Sequence, residues 1–219
     1  MNLHPHSTEK RLPLFLRTIR PERVMALGFL LVILTGALLL TLPIAANDNR
    51  SVGFHNALFT ATSAVCVTGL IVVDTADAYT VFGRIVIMLL IQIGGLGFMV
   101  FATLLMIALG RRISLRNRVL IRESMSANSL AGMVRLSKWF ALLAVIMELI
   151  GACLLSIRFI PILGVKQGIW YSIFHAVSAF CNAGFDMFGG FKSLVDFQHD
   201  PLVLLTIAWL IIFGGMGFA

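Results

Sequence analysis

The chain has 219 residues, of which 59% are hydrophobic and only 12% charged, and a formal net charge of +7. A water-soluble fold of this length cannot hide so much apolar surface, so composition excludes a soluble globule and implies a polytopic membrane protein. The excess of base does not signal nucleic acid, because the charges are segregated along the chain.

Residues 1–24 form a charged N-terminal tail in which Lys10, Arg11, Arg17, Arg20 and Arg23 precede the first apolar stretch. The tail is unlike a cleaved leader, since the apolar run after it is long enough to span a bilayer. Residues 25–44 carry no charge and suffice for one transmembrane helix. Residues 53–64 are moderately apolar but too short to cross. Residues 81–109 are longer than a bilayer requires, so this span is expected to tilt or project. Residues 111–138 hold seven basic side chains (Arg111, Arg112, Arg116, Arg118, Arg122, Arg135, Lys138) against one acid, Glu123. Over 111–133 that mixture of base and aliphatic residues is accounted for by an amphipathic surface helix touching anionic lipid. Residues 139–160 are a third span, 167–179 a second short apolar segment, and 202–219 the start of a fourth span.

Most acids (Asp48, Asp74, Asp77, Asp186, Asp196, Asp200) lie in the other loops. The positive-inside rule then places the N-terminus and the 111–138 linker in the cytoplasm. Two crossings must separate the two basic segments, so each short apolar segment is expected to dip in and return as a re-entrant helix and loop. Irregular backbone of that kind is tolerated at membrane depth only when protein or water lines it. The expected fold is all-α, built from helix, re-entrant pore helix with loop, helix, over residues 25–110 and again over 139–219. The last span stops at Ala219, as if truncated.

An internal repeat supports the duplication. Phe59-Thr60-Ala61-Thr62-Ser63-Ala64-Val65-Cys66-Val67-Thr68-Gly69 returns as Phe174-His175-Ala176-Val177-Ser178-Ala179-Phe180-Cys181-Asn182-Ala183-Gly184. A second echo follows, Gly94-Gly95-Leu96-Gly97-Phe98 and Gly214-Gly215-Met216-Gly217-Phe218. A short helix directs the negative end of its dipole at whatever lies beyond its C-terminus. A loop there, with a Gly that relaxes the backbone, can aim carbonyl oxygens at a dehydrated cation. Cys66, Val67, Thr68 and Gly69, with Cys181, Asn182, Ala183 and Gly184, meet that requirement, and neither loop carries a Lys or Arg. Asp74 and Asp77 lie close enough to the first loop to concentrate cations at its mouth, or are solvated loop acids. Glu148 sits mid-span, where a carboxylate is costly: either it serves an ion path or it locks one helix to another. The glycine echoes favour close helix approach over a hinge. The three cysteines read as small buried apolar residues rather than a metal or redox motif. His55 and His175 are not an equivalent pair, because His55 falls opposite Trp170.

These motifs carry a resemblance. Ser63 to Leu70, Val73-Asp74-Thr75 and Gln92 to Phe98, together with His175 to Phe185, look like the first two units of the Trk/Ktr/HKT potassium transporter superfamily. The short N-terminus is most similar to the bacterial Ktr-type membrane subunit, over its N-terminal half. The resemblance implies four such units around one pore, each giving one filter strand with a Gly, matched here by Gly69 and Gly184. Plant relatives with Ser at the first filter position favour sodium, so Gly69 speaks for potassium. It further implies a homodimer in the bacterial inner membrane, resting on a cytosolic nucleotide-binding ring of RCK type. That adds a second option for residues 111–133, contact with this regulatory ring. ATP or ADP would act only through that partner, and uptake is sodium-dependent in several members. Two rival expectations are a fragment or scaffold subunit that does not conduct, and an intramembrane enzyme. The second requires polar residues converging within spans that here are nearly bare.

Overall fold

The structure, a computed structural model, describes residues 21–48, 50–97 and 130–216. Among them it is all-helical, with one isolated antiparallel bridge between Ala46 and Tyr79. In chain order the helices are α1 (Pro21–Thr41), α2 (Phe54–Val65), α3 (Thr75–Ala78), α4 (Val81–Gly95), α5 (Leu130–Leu163), α6 (Val165–Phe180) and α7 (Pro201–Gly215).

The sequence explains the boundaries. Leu42 precedes Pro43, and a residue before proline is pushed out of the helical region, so α1 gives way to the 3-10 turn Pro43–Ala45. Thr80 caps α4 through its hydroxyl, which accepts from the Gly83 N–H, and Asp200 caps α7, with Pro201 at the first helical position. The apolar run expected over 81–109 is not one helix. α4 ends at Gly95, and Gly97 takes a φ of +79°, a left-handed residue of the kind that terminates helices. Residues 98–109 lie outside the described residues, as do the N-terminal tail to residue 20 and the linker over 111–129. The third span, expected from 139, begins at Leu130, so the end of the supposed linker is already helix.

Packing divides the helices into two similar groups. In the first, α1, α2 and α4 pack on one another; in the second, α5, α6 and α7 do so. The groups meet where α4 packs on α6. The same contacts are built twice. A Cβ on Gly36 of α1 would meet the Leu90 side chain of α4, and one on Gly151 of α5 would meet Leu210 of α7. The turn from α5 into α6 needs Gly164 at φ +81° and Gly168, whose Cβ would strike the backbone of Ile160 at 2.6 Å.

The segments flanking α3 tie the first group together. Tyr79 is fully buried, and its hydroxyl donates to Thr60 Oγ1 of α2 at 3.2 Å. Asn47 and Thr80 bond across the bridge, fixing the end of α1 to the start of α4.

Among the described residues one helix segment, Trp139–Leu163, is long and apolar enough to cross a membrane; Met25–Thr41, Val81–Gly95 and Pro201–Gly215 are shorter apolar helices. Only 28% of the most apolar window of Trp139–Leu163 is buried, so it is not the core helix of a water-soluble domain. Leu27, Leu30, Leu31, Leu34 and Leu38 on α1 are exposed, as are Leu142, Leu143, Ile146 and Ile150 on α5. Such an exterior is stable against hydrocarbon or further protein, not against water.

Candidate functional site

The repeated loops have the same backbone. α2 ends at Cys66 (φ −82°, ψ 0°) and α6 at Cys181 (φ −72°, ψ −4°). The next residue turns left-handed in both, Val67 at φ 54° and Asn182 at φ 59°. The loop glycines match too, Gly69 at φ 70° and Gly184 at φ 73°. The closing hydrogen bonds coincide: the Thr68 N–H reaches Ser63 O at 2.9 Å, and the Ala183 N–H reaches Ser178 O at 2.7 Å. This six-residue closure satisfies carbonyls at the helix end, in the manner of a Schellman motif. Asn tolerates a left-handed backbone, whereas a β-branched Val there is a true outlier. Val67 is therefore held in place by its surroundings.

Two serines hold the loops, in different ways. Ser63 accepts a bond from the Thr68 hydroxyl at 3.0 Å. The second loop has Ala183 where the first has Thr68, and Ser178 instead donates to Phe185 O at 2.6 Å.

The loops touch. A Cβ on Gly69 would lie 2.5 Å from Ala183 O and 3.2 Å from Gly184 Cα. The glycine echoes explain how the helices come so close. A Cβ on Gly94 would meet Val65 O at 2.1 Å, and one on Gly214 would meet the equivalent Phe180 O at 1.7 Å. In each group, then, the last turn of the closing helix rests directly on the C-terminal end of the short one. Gly95 presses on the other group, its Cβ position 2.5 Å from Cys181 Sγ. Close approach, the expected role of the echo glycines, holds for Gly94, Gly95 and Gly214, whereas a Cβ on Gly97 would meet nothing within 4 Å.

The cysteines differ from expectation. Cys181 is buried, but Cys66 and Cys153 are exposed. α4 covers Cys181, whereas no described element covers Cys66 in the same way, and Cys153 lies on an outward face of α5.

Asp74 and Asp77 are bonded in a way the sequence did not reveal. Asp74 caps α3, its Oδ1 accepting from Ala76 and Asp77 N–H groups, while its Oδ2 accepts from Phe191 N at 2.8 Å. Asp77 Oδ2 accepts from Gly190 N at 3.0 Å. Together they fasten the 189–193 loop of the second group to the α3 segment of the first. Asp186 lies near them. Burial pushes its carboxyl above the ordinary value, the Asp74 charge adds to this, and the Phe188 N–H opposes it.

Glu148 is buried on α5, and its Oε1 accepts from Gln92 Nε2 of α4 at 2.9 Å. His175, also buried, bonds through Nδ1 to Tyr171 O at 2.7 Å, and its Nε2 faces the Met187 N–H at 3.4 Å. Both ring nitrogens thus have protein neighbours. Beside the second loop lies a cavity of about 230 Å³, lined by His175, Ser178, Asn182, Gly184, Asp186 and Ile211 among others.

Two like loops in backbone contact, each at the end of a short helix, form the site. Residues 12–219 match the TrkH family, described as cation transport protein. The chain belongs to that family. It is 48% identical to the Ktr system potassium uptake protein B of Bacillus subtilis over 198 residues, 90% of this chain and 44% of that protein. It is 44% identical to the potassium/sodium uptake protein NtpJ of Enterococcus hirae over 202 residues, 92% of this chain and 44% of that one. The Ktr system potassium uptake protein B of Vibrio alginolyticus is 45% identical over 90% of this chain and 42% of its own length. The TrkH-family chain thus spans less than half the length of these relatives. Its repeated loops fall within the matched residues.

Sequence reasoning missed the roles of Gln92, Ser63, Ser178 and Asp186. The one legible signal was Gln92 itself, a lone amide in an apolar span beside a glycine pair.

Proposed function

We propose that this chain supplies two strands of a potassium-selective pathway across the bacterial plasma membrane. Cations shed water and pass along Cys66, Val67, Thr68 and Gly69 on one side and Cys181, Asn182, Ala183 and Gly184 on the other. Backbone carbonyls of these loops replace the lost hydration oxygens. The short helices α2 and α6 act as pore helices, their negative ends favouring a cation. The observation that carries this reading is the shared left-handed backbone of two loops packed within 2.5 Å of an added Cβ, with no basic side chain in either.

The relatives support potassium as the ion, since two are named potassium uptake proteins and one potassium/sodium uptake. Sodium coupling belongs to this proposal. So do a homodimer and a cytosolic nucleotide-binding ring, through which ATP or ADP would act; the name "Ktr system" fits a protein with partner subunits. The N-terminus is assigned to the cytoplasm. Asp74 and Asp77, placed at the outer mouth, act by holding its two loops together and by adding negative charge to it.

The test is rubidium uptake in cells lacking their own potassium systems. The chain is expressed alone and completed with the C-terminal part of the Bacillus subtilis relative. Gly69→Asp puts a side chain against Ala183 O and a charge in the filter, and is expected to abolish uptake without removing protein from the membrane. Normal uptake in that variant would refute the filter assignment.

A further inference from the structure

The repeat builds its close helix contacts twice, at Gly36 and Gly151 and at Gly94 and Gly214, whereas the polar set around Gln92 is built once. Gln92 of α4 bridges to the second group: its Nε2 donates to Glu148 Oε1 at 2.9 Å, and Cys181 Sγ–H donates to its Oε1 at 3.7 Å. Aligning the glycine echoes puts Ile212 opposite Gln92, and aligning Gly36 with Gly151 puts Ile33 opposite Glu148. Neither counterpart can form a hydrogen bond with its side chain, so the fold itself does not require this polar set. It is costly in an apolar setting and touches Cys181, the first residue of the second filter loop.

We propose that Glu148 is a positioning residue for the second filter loop, acting through Gln92. The reasoning is one of amide direction. An amide side chain can present either its oxygen or its NH₂ to a neighbour. The Glu148 oxygen that faces Gln92 accepts, so it holds the NH₂ of Gln92 toward itself and leaves the carbonyl toward Cys181. With Glu148 gone, the amide is free to turn, and its carbonyl is no longer held on the Cys181 thiol. Cys181 is also pinned by Gly95, so a change in its thiol contact is transmitted to the loop backbone rather than absorbed by the side chain. The loop it starts lies against Gly69 of the first, so the spacing between the two strands, on which ion discrimination depends, is set partly from α5.

This inference rests on the filter reading above. The test measures rubidium uptake and its inhibition by sodium in the transport-competent form of the chain, for Glu148→Leu, Glu148→Gln, Gln92→Met and Glu148→Leu combined with Gln92→Met. Glu148→Gln keeps a carbonyl able to accept from Gln92 but, as a second amide, fixes its direction less firmly, so it should fall between the parent and Glu148→Leu. Glu148→Leu and Gln92→Met should each reduce the rubidium-over-sodium discrimination on the order of threefold to tenfold, the worth of one hydrogen bond. The double variant should be no worse than either single one, because the three groups act as a unit. Should Glu148→Leu fail to reach the membrane, Gln92→Met carries the comparison, since it removes the same bridge without burying a new cavity. Discrimination unchanged in both, with only protein level or thermal stability reduced, would leave Glu148 a helix lock and overturn the proposal. Gly69→Asp, run alongside, separates the two failures: if it spares uptake, the filter reading falls and this inference with it. If it abolishes uptake while Gln92→Met leaves discrimination untouched, the positioning role alone is lost.

Discussion

At Val67 the backbone asks for a residue the sequence does not supply. A left-handed φ costs an ordinary L-residue about 1–2 kcal/mol, and Asn182 shows what the same turn accepts without that cost. Val67→Asn is therefore expected to stabilise the protein by about 1 kcal/mol, read as a higher Tm of the purified protein in detergent. Asp186 gives a prediction with pH in it. Its carboxyl is raised, first by burial and then by the Asp74 charge. The folded state thus binds the proton more tightly than the unfolded one, and the stabilisation is full below the ordinary carboxylate pKa. It is lost as pH rises through the raised value. Asp186→Asn keeps an oxygen for the Phe188 N–H, so it should raise Tm at neutral pH and leave Tm at about pH 3 unchanged. A parallel offset at both pH values would mean that the carboxyl does not titrate in this way. Asp200 has the opposite sense. Slight desolvation raises its pKa, but the hydrogen bond and charge of Arg158, with the Val203 and Leu202 N–H groups, outweigh this and lower it.

Among the elements, the glycine echo separates positions that look identical in sequence. Gly214 has Phe180 O within 1.7 Å of a built Cβ, whereas Gly215 meets only the Asn182 side chain, at 3.6 Å. Gly214→Ala must push α7 off the end of α6, and overpacking of this sort costs about 1–3 kcal/mol. Gly215→Ala should cost little in this chain. Comparing the two by thermal unfolding tests whether the close approach is real, and equal effects would argue against it. The α3 cap makes a second test. Asp74→Ala removes the cap and leaves the Phe191 N–H without its acceptor, together about 2–3 kcal/mol. It should also expose the 189–193 loop to protease, an effect that Asp77→Ala, at an exposed carboxylate, should show more weakly. Most of this level was legible. Apolar runs and the Phe-to-Gly repeat marked the helices, because such patterns are local. What was not legible came from contacts between distant segments. The end of α4 at Gly95 is a glycine termination inside an uninterrupted apolar run. The bond between Asp74 and Phe191 joins residues 117 positions apart, and no spacing rule reaches that far. The two loops stood out because the repeat displays them twice; Gln92 and Glu148 have no repeat counterpart, and of these only Glu148 was marked, by its charge within a span.

For the whole molecule, the contact between the two groups has a direction. α4 of the first group covers the loop of the second, pressing Gly95 on Cys181. Contacts of this head-to-tail kind do not close with two members, and they leave a complementary free face at each end. Both faces are visible. Cys66 at the head is exposed where its counterpart Cys181 is buried. Among the described residues a Cβ on Gly215 at the tail would meet nothing nearer than the Asn182 side chain at 3.6 Å, where its counterpart Gly95 has Cys181 at 2.5 Å. A cation held on one side by two strands keeps water on the other, and carbonyls that do not surround it cannot repay its dehydration. Residues 1–219 by themselves are accordingly expected to insert in the membrane yet give no rubidium uptake. Completion with the C-terminal part of the Bacillus subtilis relative should restore it, and Cys66 should then lose reactivity toward a membrane-permeant maleimide. Uptake by residues 1–219 alone, abolished by Gly69→Asp, would instead mean that two copies pair through these same faces. In that case too Cys66 should become protected, so the labelling pattern reports closure of the ring whichever chain provides it.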